Sequence, residues 1–363
     1  MLDLGDVAAS DYFPAYDDPQ PDPRWPLRLV MCADCALVQL GPADHPTPEA
    51  PTAVESATAL AHAAASARAV VETEGLRPGE RVIEIDSHHG GSWLGGFLEA
   101  GLVSVDRLGQ ADLVVDVHGI AHEPDLRAPI AAHTARLAPG GRLVLEFHHL
   151  LPLVEQCQID TVRHGHWVYL SLLCVRDLFR RHSLLVTRAE RVPVFGGSLR
   201  VTAQRVQDDP TVDATVDSVL AAERAAGLDR VEALRTLGDR GRKVASGLRD
   251  HLRQAQADGR TVAGYGAPSK ATVLLSLADV DAELLPYTVD LSPAKHGTRI
   301  PGPGMPVLAV EELAKRRPDE IVVLTWDIAD EVVKQLERDR DPGWDPDIFV
   351  PLPDPRYVAG PRS

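Results

Sequence analysis

Residues 264–270 constrain the fold of this chain most strongly, because their order of residue types is typical of one local structure. They read Gly-Tyr-Gly-Ala-Pro-Ser-Lys and lie between apolar runs at residues 261–263 and 272–275. This order predicts a strand, a glycine turn and a helix start, although such a turn also occurs where a helix only packs against a sheet. Glycines allow close backbone approach, and the N–H groups of a helix N-terminus attract anions. The predicted phosphate site comprises Gly264, Tyr265, Gly266, Ala267, Pro268 and Lys270.

Four further blocks resemble a known family. A strand ending at Asp290 leads to a turn with Lys295, and a later strand ends at Thr325-Trp326. Upstream, residues 160–166 read Asp-Thr-Val-Arg-His-Gly-His, and residues 196–200 read Gly-Gly-Ser-Leu-Arg. Together with the glycine turn, these blocks resemble the nucleotide-sugar C-methyltransferases, which use S-adenosylmethionine to methylate a keto-deoxysugar attached to dTDP. The resemblance covers nearly the whole chain.

The resemblance implies a site for a dTDP-linked sugar in the C-terminal part of the chain. Besides the glycine turn and Lys270, the residues expected there are Asp290, Lys295, Trp326 and Arg200. Arg200 has two interpretations, since its guanidinium could contact a pyrophosphate or lie on the surface of an edge strand.

The block at residues 160–166 is the predicted catalytic segment. By resemblance, His166 occupies the position of the base that removes the proton next to the sugar ketone, and an imidazole suits this role because it titrates near neutral pH. The enolate also needs a positive group near its oxygen, which Arg163 could supply. The family's Tyr and Glu are Arg163 and Gly165 here. The candidate catalytic residues are His166, Arg163 and His164; the alternative is that both histidines are only polar loop residues.

The cofactor end of the central domain departs from the family. The turn after the strand at residues 81–85 resembles Glu-x-Gly, but Asp86 replaces the glycine. The connection from residue 101 to residue 111 lacks on the order of 30 residues for a second strand, a helix and a third strand. The residues expected to contact S-adenosylmethionine are Glu84, Gly90, Gly91 and Asp106, with Asp106 as the ribose-binding acid. The cofactor itself is doubtful on this sequence.

Further histidines lie at predicted strand ends. His88-His89 and His148-His149 follow two neighbouring parallel strands, at the edge where ligands bind. Neither a clear carboxylate nor an i, i+4 spacing supports a metal there. His122 lies in another block that resembles the family.

Cys32 and Cys35 form a CxxC motif, which is half of a tetrahedral zinc site. In the family an earlier CxxC completes the site, and that pair is not in this sequence. Zinc is therefore doubtful, and two free thiols are the alternative.

The length of 363 residues predicts two domains and a small module. We expect an α/β fold with two doubly wound, Rossmann-like domains: an N-terminal module (1–66), a shortened methyltransferase-like domain (67–210), connecting helices (211–258) and a nucleotide-sugar domain (259–363). The net charge of −16 argues against nucleic acids and anionic membranes as partners. No apolar run approaches a membrane span, so we expect a cytoplasmic protein. The sequence does not specify an oligomeric state.

Three functions remain open from the sequence. The damaged cofactor end favours an epimerase or isomerase that deprotonates a nucleotide-linked keto-sugar next to its ketone. The first alternative is an S-adenosylmethionine-dependent sugar C-methyltransferase. The second is a non-catalytic protein that binds a sugar nucleotide.

Overall fold

The computed structural model describes residues 1–42, 56–85, 91–106, 108–339 and 343–358. The strands are β1 (Leu2–Ala8), β2 (Arg24–Met31), β3 (Val38–Leu40), β4 (Arg81–Ile85), β5 (Val103–Ser104), β6 (Ala111–Val117), β7 (Leu137–His148), β8 (Val168–Tyr169), β9 (Leu184–Val192), β10 (Ser198–Arg205), β11 (Val262–Tyr265), β12 (Thr288–Asp290), β13 (Val307–Ala309), β14 (Glu320–Val323), β15 (Asp347–Val350) and β16 (Arg356–Val358). The helices are α1 (Ala57–Thr73), α2 (Leu94–Glu99), α3 (Arg127–Arg136), α4 (Leu150–Glu155), α5 (Leu172–Arg181), α6 (Ala214–Ala225), α7 (Val231–Ala257), α8 (Ser269–Ala278), α9 (Glu312–Arg316) and α10 (Ala329–Asp339).

The N-terminal module is an antiparallel sheet in the order β1-β2-β3-β8. Its last strand comes from the central domain, so the module is tied to that domain by backbone hydrogen bonds. Alternate apolar residues such as Leu27 and Leu29 in β2 are fully buried, as expected for a strand with one face on a core. They belong to the same apolar core as β6 and β7.

The central domain has the strand order β5-β4-β6-β7-β10-β9. The first four strands are parallel, and β10 runs antiparallel to both β7 and β9. The short β5 pairs with β4 and ends the sheet. A full nucleotide-binding half would continue with a helix and a third strand, and neither occurs between β5 and β6 in the residues described there.

The C-terminal domain has the strand order β13-β12-β11-β14-β15-β16, with all strands parallel except β16. The order reverses between β11 and β14, which is where ligands bind in sheets of this kind. A Cβ on Gly264 would lie 2.7 Å from Thr288 Oγ1, and one on Gly266, whose φ is +91°, would lie 2.6 Å from Thr325 Cγ2. Both glycines are therefore required by packing between strands.

Several contacts fix the C-terminal domain against the rest of the chain. The Glu331 carboxylate at the start of α10 accepts hydrogen bonds from the backbone N–H groups of Ala57 and Thr58, and so holds the N-terminus of α1. The Arg299 guanidinium donates to the backbone carbonyls of Ala15 and Asp18 in the N-terminal module. The carboxyl edges of the two parallel sheets can therefore contribute side chains to one site.

The predicted α/β class with two Rossmann-like domains is confirmed. Helices α6 and α7 lie within the segment predicted to form connecting helices. None of the helices in the described ranges is both long enough and apolar enough to cross a membrane.

Candidate active site between the two Rossmann-like domains

The predicted phosphate turn has a defined structure at the carboxyl end of β11. The backbone N–H of Ala267 donates to Asp290 Oδ2 at 2.7 Å, and Lys295 Nζ donates to the carbonyl oxygen of Ala267 at 2.9 Å. Pro268 precedes the first turn of α8, so the N-terminus of that helix lies at the same edge. The structure therefore brings Asp290 and Lys295 to the turn.

Lys270 lies in the first turn of α8 and is partly exposed. Its Nζ forms an ion pair with Asp327 and lies 4.6 Å from the centroid of the Trp326 ring. Asp327 balances the charge of Lys270, as Asp290 faces Lys295 at 3.8 Å. A phosphate at this edge would compete with these carboxylates for the two ammonium groups.

Tyr265 differs from the expectation for a substrate-binding side chain. It is 3% exposed, and its hydroxyl donates to Gln335 on α10 at 2.9 Å. Because β11 is a central strand, the Tyr265 side chain packs in the core. Its role is structural.

Asp160, the first residue of the predicted catalytic segment, connects that segment to the C-terminal domain. The indole Nε1 of Trp326 donates to Asp160 Oδ2 at 2.7 Å. The Asp160 side chain is fully buried, and burial raises its pKa to about 6 although Lys270 and the Trp326 hydrogen bond favour the ionised form. The sequence did not single out Asp160 as a functional residue.

Arg163 and His166 are in direct contact. One Arg163 amino group donates to His166 Nε2 at 2.8 Å, and the other donates to Asp11 Oδ2 in the N-terminal module at 2.7 Å. An arginine can only donate, so Nε2 of His166 is the acceptor and its lone pair is engaged. For His166 to act as a base at this nitrogen, Arg163 must first release it.

The side chain of His164 contacts different residues from the side chain of His166. It is 0% exposed, its ring lies edge-on to Trp25 at 6.3 Å, and Nε2 is 3.5 Å from the backbone carbonyl of Pro26. These contacts place His164 against the N-terminal module. The structure therefore favours a packing role for His164 over the predicted catalytic one.

Four histidines lie together at the carboxyl edge of the central sheet, and we call His118, His122, His148 and His166 the histidine group. The ring centroids of His122 and His166 are 4.8 Å apart, those of His148 and His166 are 5.8 Å apart, and those of His118 and His148 are 4.7 Å apart. They come from the loop after β6, the end of β7 and the catalytic segment. Their convergence follows from the pairing of β6 with β7.

A buried ionic network around Glu146 lies next to the histidine group. Glu146 on β7 is 0% exposed and accepts hydrogen bonds from the Arg200 guanidinium at 2.8 and 3.0 Å. His62 Nε2 on α1 lies 2.5 Å from Glu146, and His118 Nε2 lies 3.8 Å from it. Burial would raise the pKa of Glu146, but the hydrogen bond from His62 and the charge of Arg200 hold it below its usual value.

The structure contradicts both interpretations of the Arg200 side chain. Strand β10 lies between β7 and β9, so it is not an edge strand. The guanidinium is 6% exposed, bound to Glu146 and Ser66, and stacked over Trp93 at 4.9 Å. The guanidinium therefore makes its contacts within the central domain and is not available to bind a pyrophosphate. The signal that sequence reasoning missed is the cross-strand pairing of Arg200 with Glu146.

The glycines before Arg200 serve contacts within the protein. A Cβ on Gly196 would lie 2.8 Å from both Gln158 Oε1 and Trp326 Cη2, and one on Gly197 would lie 2.6 Å from Pro152. Both residues have positive φ. They allow the turn after Phe195 to approach the domain boundary, where Trp326 meets Asp160.

The structure describes some of the residues that were predicted to contact the cofactor. Glu84 at the end of β4 accepts from the backbone N–H of Trp93 at 2.6 Å and from Ser92 Oγ at 2.5 Å, so its carboxylate orders the start of α2. Gly91 has φ +71°, and a Cβ there would contact Ala63 on α1 at 3.7 Å. Asp86 and Gly90 lie outside the described residues.

Asp106 follows β5 with an exposed side chain, and its carboxylate accepts from the backbone N–H of Leu108 at 2.8 Å. This is the position after the second strand where nucleotide-binding domains place a ribose-binding acid. The left-handed Gly91 and the exposed carboxylate of Asp106, both near the carboxyl end of β4, are compatible with an adenosine-containing cofactor.

The CxxC motif forms the turn between β2 and β3. The backbone N–H groups of Cys35 and Asp34 point at the Cys32 sulfur and lower its pKa, whereas burial raises the pKa of Cys35. The described ranges contain no group of three or more His, Cys, Asp or Glu side chains that could hold a metal. Two thiols alone do not fit a tetrahedral zinc site.

Comparisons with known proteins give the family. Residues 193–353 match the model of the C-methyltransferase C-terminal domain. The C-methyltransferase NovU of Streptomyces niveus is 30% identical over 380 residues, which cover 94% of this chain and 90% of that protein. The chain belongs to the C-methyltransferase family.

Two solved structures are similar at a lower level. The mitomycin 7-O-methyltransferase MmcR has a TM-score of 0.33 at 16% identity, and the match covers 40% of this chain and 54% of the MmcR chain. Magnesium protoporphyrin IX methyltransferase (ChlM) from Synechocystis PCC 6803 has a TM-score of 0.31 at 16% identity, and the match covers 40% of this chain and 84% of the ChlM chain. Because these scores are low, the family assignment depends on the sequence matches.

The family corrects one expectation. The sequence made S-adenosylmethionine doubtful because of Asp86 and the short connection before β6. The similarity to NovU spans 94% of the chain, so it includes the central domain as well as the C-terminal one. The doubt about the methyl donor is therefore wrong. The isomerase interpretation, which depended on the loss of this donor, is unsupported, and the C-methyltransferase alternative agrees better with the family.

Proposed function

We propose that this chain is an S-adenosylmethionine-dependent C-methyltransferase that acts on a keto-sugar linked to a nucleoside diphosphate, with dTDP as the nucleotide. The observation that carries the proposal is the end-to-end similarity to NovU together with the position of His166 at the carboxyl edge of the central sheet. The same edge holds Gly91 and Asp106.

The nucleotide would bind at the carboxyl edge of the C-terminal sheet. Lys270 and Lys295 supply the positive charge, and the N-terminus of α8 adds the favourable end of a helix dipole. A pyrophosphate that binds Lys270 replaces Asp327 as its partner. The sugar then extends across the domain boundary, past Trp326 and Asp160, towards His166.

At the sugar, His166 removes the proton from the carbon next to the ketone. Its Nε2 becomes available when the Arg163 guanidinium moves to the ketone oxygen, where it stabilises the negative charge of the enolate. Arg163 thus couples the release of the base to the binding of the carbonyl. Asp11, which holds the other amino group of Arg163, keeps the guanidinium close by.

The cofactor would be held by Gly91 and Asp106 near the carboxyl end of β4. Bound there, S-adenosylmethionine supplies an electrophilic methyl group. The chain's own contribution is to hold the enolate carbon near that end of the sheet and to exclude water, since most of the surrounding side chains are buried.

Methyl transfer from S-adenosylmethionine to a dTDP-4-keto-6-deoxysugar tests the proposal. We expect the wild-type protein to form S-adenosylhomocysteine and methylated sugar, and His166→Gln to lose at least about 100-fold in rate. His182→Gln is the matched control, because His182 lies at the C-terminal end of α5 and does not belong to the histidine group. Equal rates for wild type and His166→Gln would refute the role of His166.

A further inference from the structure

C-methylation releases a proton, because a methyl group replaces the hydrogen that leaves the sugar carbon. A base that keeps this proton cannot act in the next turnover. His166 is only 5% exposed, so it is poorly placed to exchange a proton with water directly. The enclosed base needs a route to solvent.

His148 lies on such a route. It is the last residue of β7, its ring centroid is 5.8 Å from that of His166, and the two ring planes are inclined by only 33°. His148 is partly exposed, whereas His166 and His118 are 5% and 1% exposed. His122 is also partly exposed and its ring is nearer to His166, but its Nε2 atom is buried. His148 is therefore the better placed of the two to pass a proton to water.

The charges around the histidine group favour transfer in this direction. When the Arg163 guanidinium returns from the ketone oxygen to His166, its charge disfavours a lasting positive charge on that imidazole. On the other side of His148, the ring of His118 lies between it and the Glu146 carboxylate, which is 3.8 Å from His118 Nε2. The centroid of the apolar Phe195 ring lies 6.3 Å from that of His148.

We propose that His148 is a proton-relay residue that accepts the proton from His166 and passes it to water. This inference rests on the proposed function. The C–H bond of the sugar breaks, its electron pair forms the enolate, and an N–H bond forms on His166. That N–H bond then breaks as one forms on His148, and water finally takes the proton. No oxidant or further reactant is required.

The relay predicts a separation between the first turnover and later ones. In rapid-quench measurements, His148→Gln should form the first equivalent of methylated product at the wild-type rate, because His166 starts deprotonated. Steady-state turnover should then fall by about 10- to 100-fold, and added imidazole should restore it. His182→Gln should behave as the wild type in both phases. The unfolding midpoint of each variant shows that the fold is retained.

Two outcomes would overturn the relay: steady-state turnover of His148→Gln at the wild-type rate, or loss of its first turnover. A second measurement tests the coupling of the two rings without substrate. In NMR spectra of protein with labelled histidine, His166→Gln should move the titration midpoint of His148, since ionisable groups that interact closely titrate as a pair. An unchanged midpoint would contradict the relay. If the wild type transferred no methyl group at all, the proposed function would fail, and this titration would still decide the coupling.

Discussion

The indole N–H of Trp326 donates a 2.7 Å hydrogen bond to the carboxylate of Asp160, and this bond joins the nucleotide end of the site to the catalytic segment. Trp326 also stacks on Lys270, the predicted phosphate ligand. The other Asp160 oxygen is buried and has no hydrogen-bond partner among the described residues. Trp326 therefore contacts both Lys270 and the first residue of the catalytic segment.

Asp160→Asn should remove a pH-dependent loss of stability. The pKa of Asp160 is about 6 in the folded protein and about 3.9 in an unfolded chain. Between these values the folded state holds a proton that the unfolded state releases, so the free energy of unfolding falls as the pH rises from about 4 to about 6. The loss is roughly 3 kcal/mol.

Urea unfolding of wild type and Asp160→Asn at pH 4, 5, 6 and 7 measures this effect. The difference between the two proteins should change across the interval from about pH 4 to about pH 6 and stay constant above it. A difference that is the same at every pH would show that Asp160 is ionised in the folded protein.

Lys270→Met should weaken the binding of dTDP by about 10- to 100-fold, because a charge-assisted contact to phosphate is lost while Asp327 remains. Asp327→Asn should bind dTDP at least as tightly as the wild type, since it removes the competing carboxylate. Titration calorimetry gives both affinities. Lys315→Met is the control, because Lys315 is exposed and pairs with Glu312 of its own helix. Unchanged affinity in Lys270→Met would place the phosphates elsewhere.

Glu146→Gln should destabilise the protein by about 3–5 kcal/mol, because it removes the close counter-charge of the buried Arg200 guanidinium and leaves the more distant Glu190 at 3.9 Å. Glu232→Gln removes an exposed partner of Arg235 on α7 and should cost well under about 1 kcal/mol. Chemical unfolding at one pH compares the two. Similar small losses in both variants would mean that the Glu146 network contributes little to folding.

Asp106→Ala should weaken the binding of S-adenosylhomocysteine by about tenfold or more, as expected when hydrogen bonds from ribose hydroxyls to a carboxylate are lost. Asp279→Asn is the matched control, because Asp279 is an exposed acid of the C-terminal domain whose left-handed backbone also suits asparagine. Fluorescence or calorimetric titration provides the affinities. If Asp106→Ala bound as the control does, another residue would hold the ribose.

The sequence predicted what depends on local order. Alternating strands and helices gave the α/β class, and the glycine turn before Lys270 gave the edge where Asp290 and Lys295 converge. The resemblance in residues 160–166 located Arg163 and His166, which the structure places in contact. These features follow from short segments whose residues lie near each other in the chain.

Contacts between distant segments were not predictable in the same way. Arg200 and Glu146 are 54 residues apart and meet only because β10 inserts between β7 and β9. Trp326 and Asp160 are 166 residues apart and meet across the domain boundary. His62 gave no signal on an alanine-rich helix, although it contacts the same buried carboxylate. Such pairs depend on the register of the sheets and the docking of the domains.

Methyl transfer can be read from the mass of a dTDP-4-keto-6-deoxysugar after incubation with the protein and S-adenosylmethionine in deuterated water. We predict a product that has gained one methyl group, formed with one equivalent of S-adenosylhomocysteine, and we expect His166→Gln to slow its formation greatly. Uptake of deuterium without a methyl group, with S-adenosylmethionine left intact, would contradict the account and support isomerase chemistry instead.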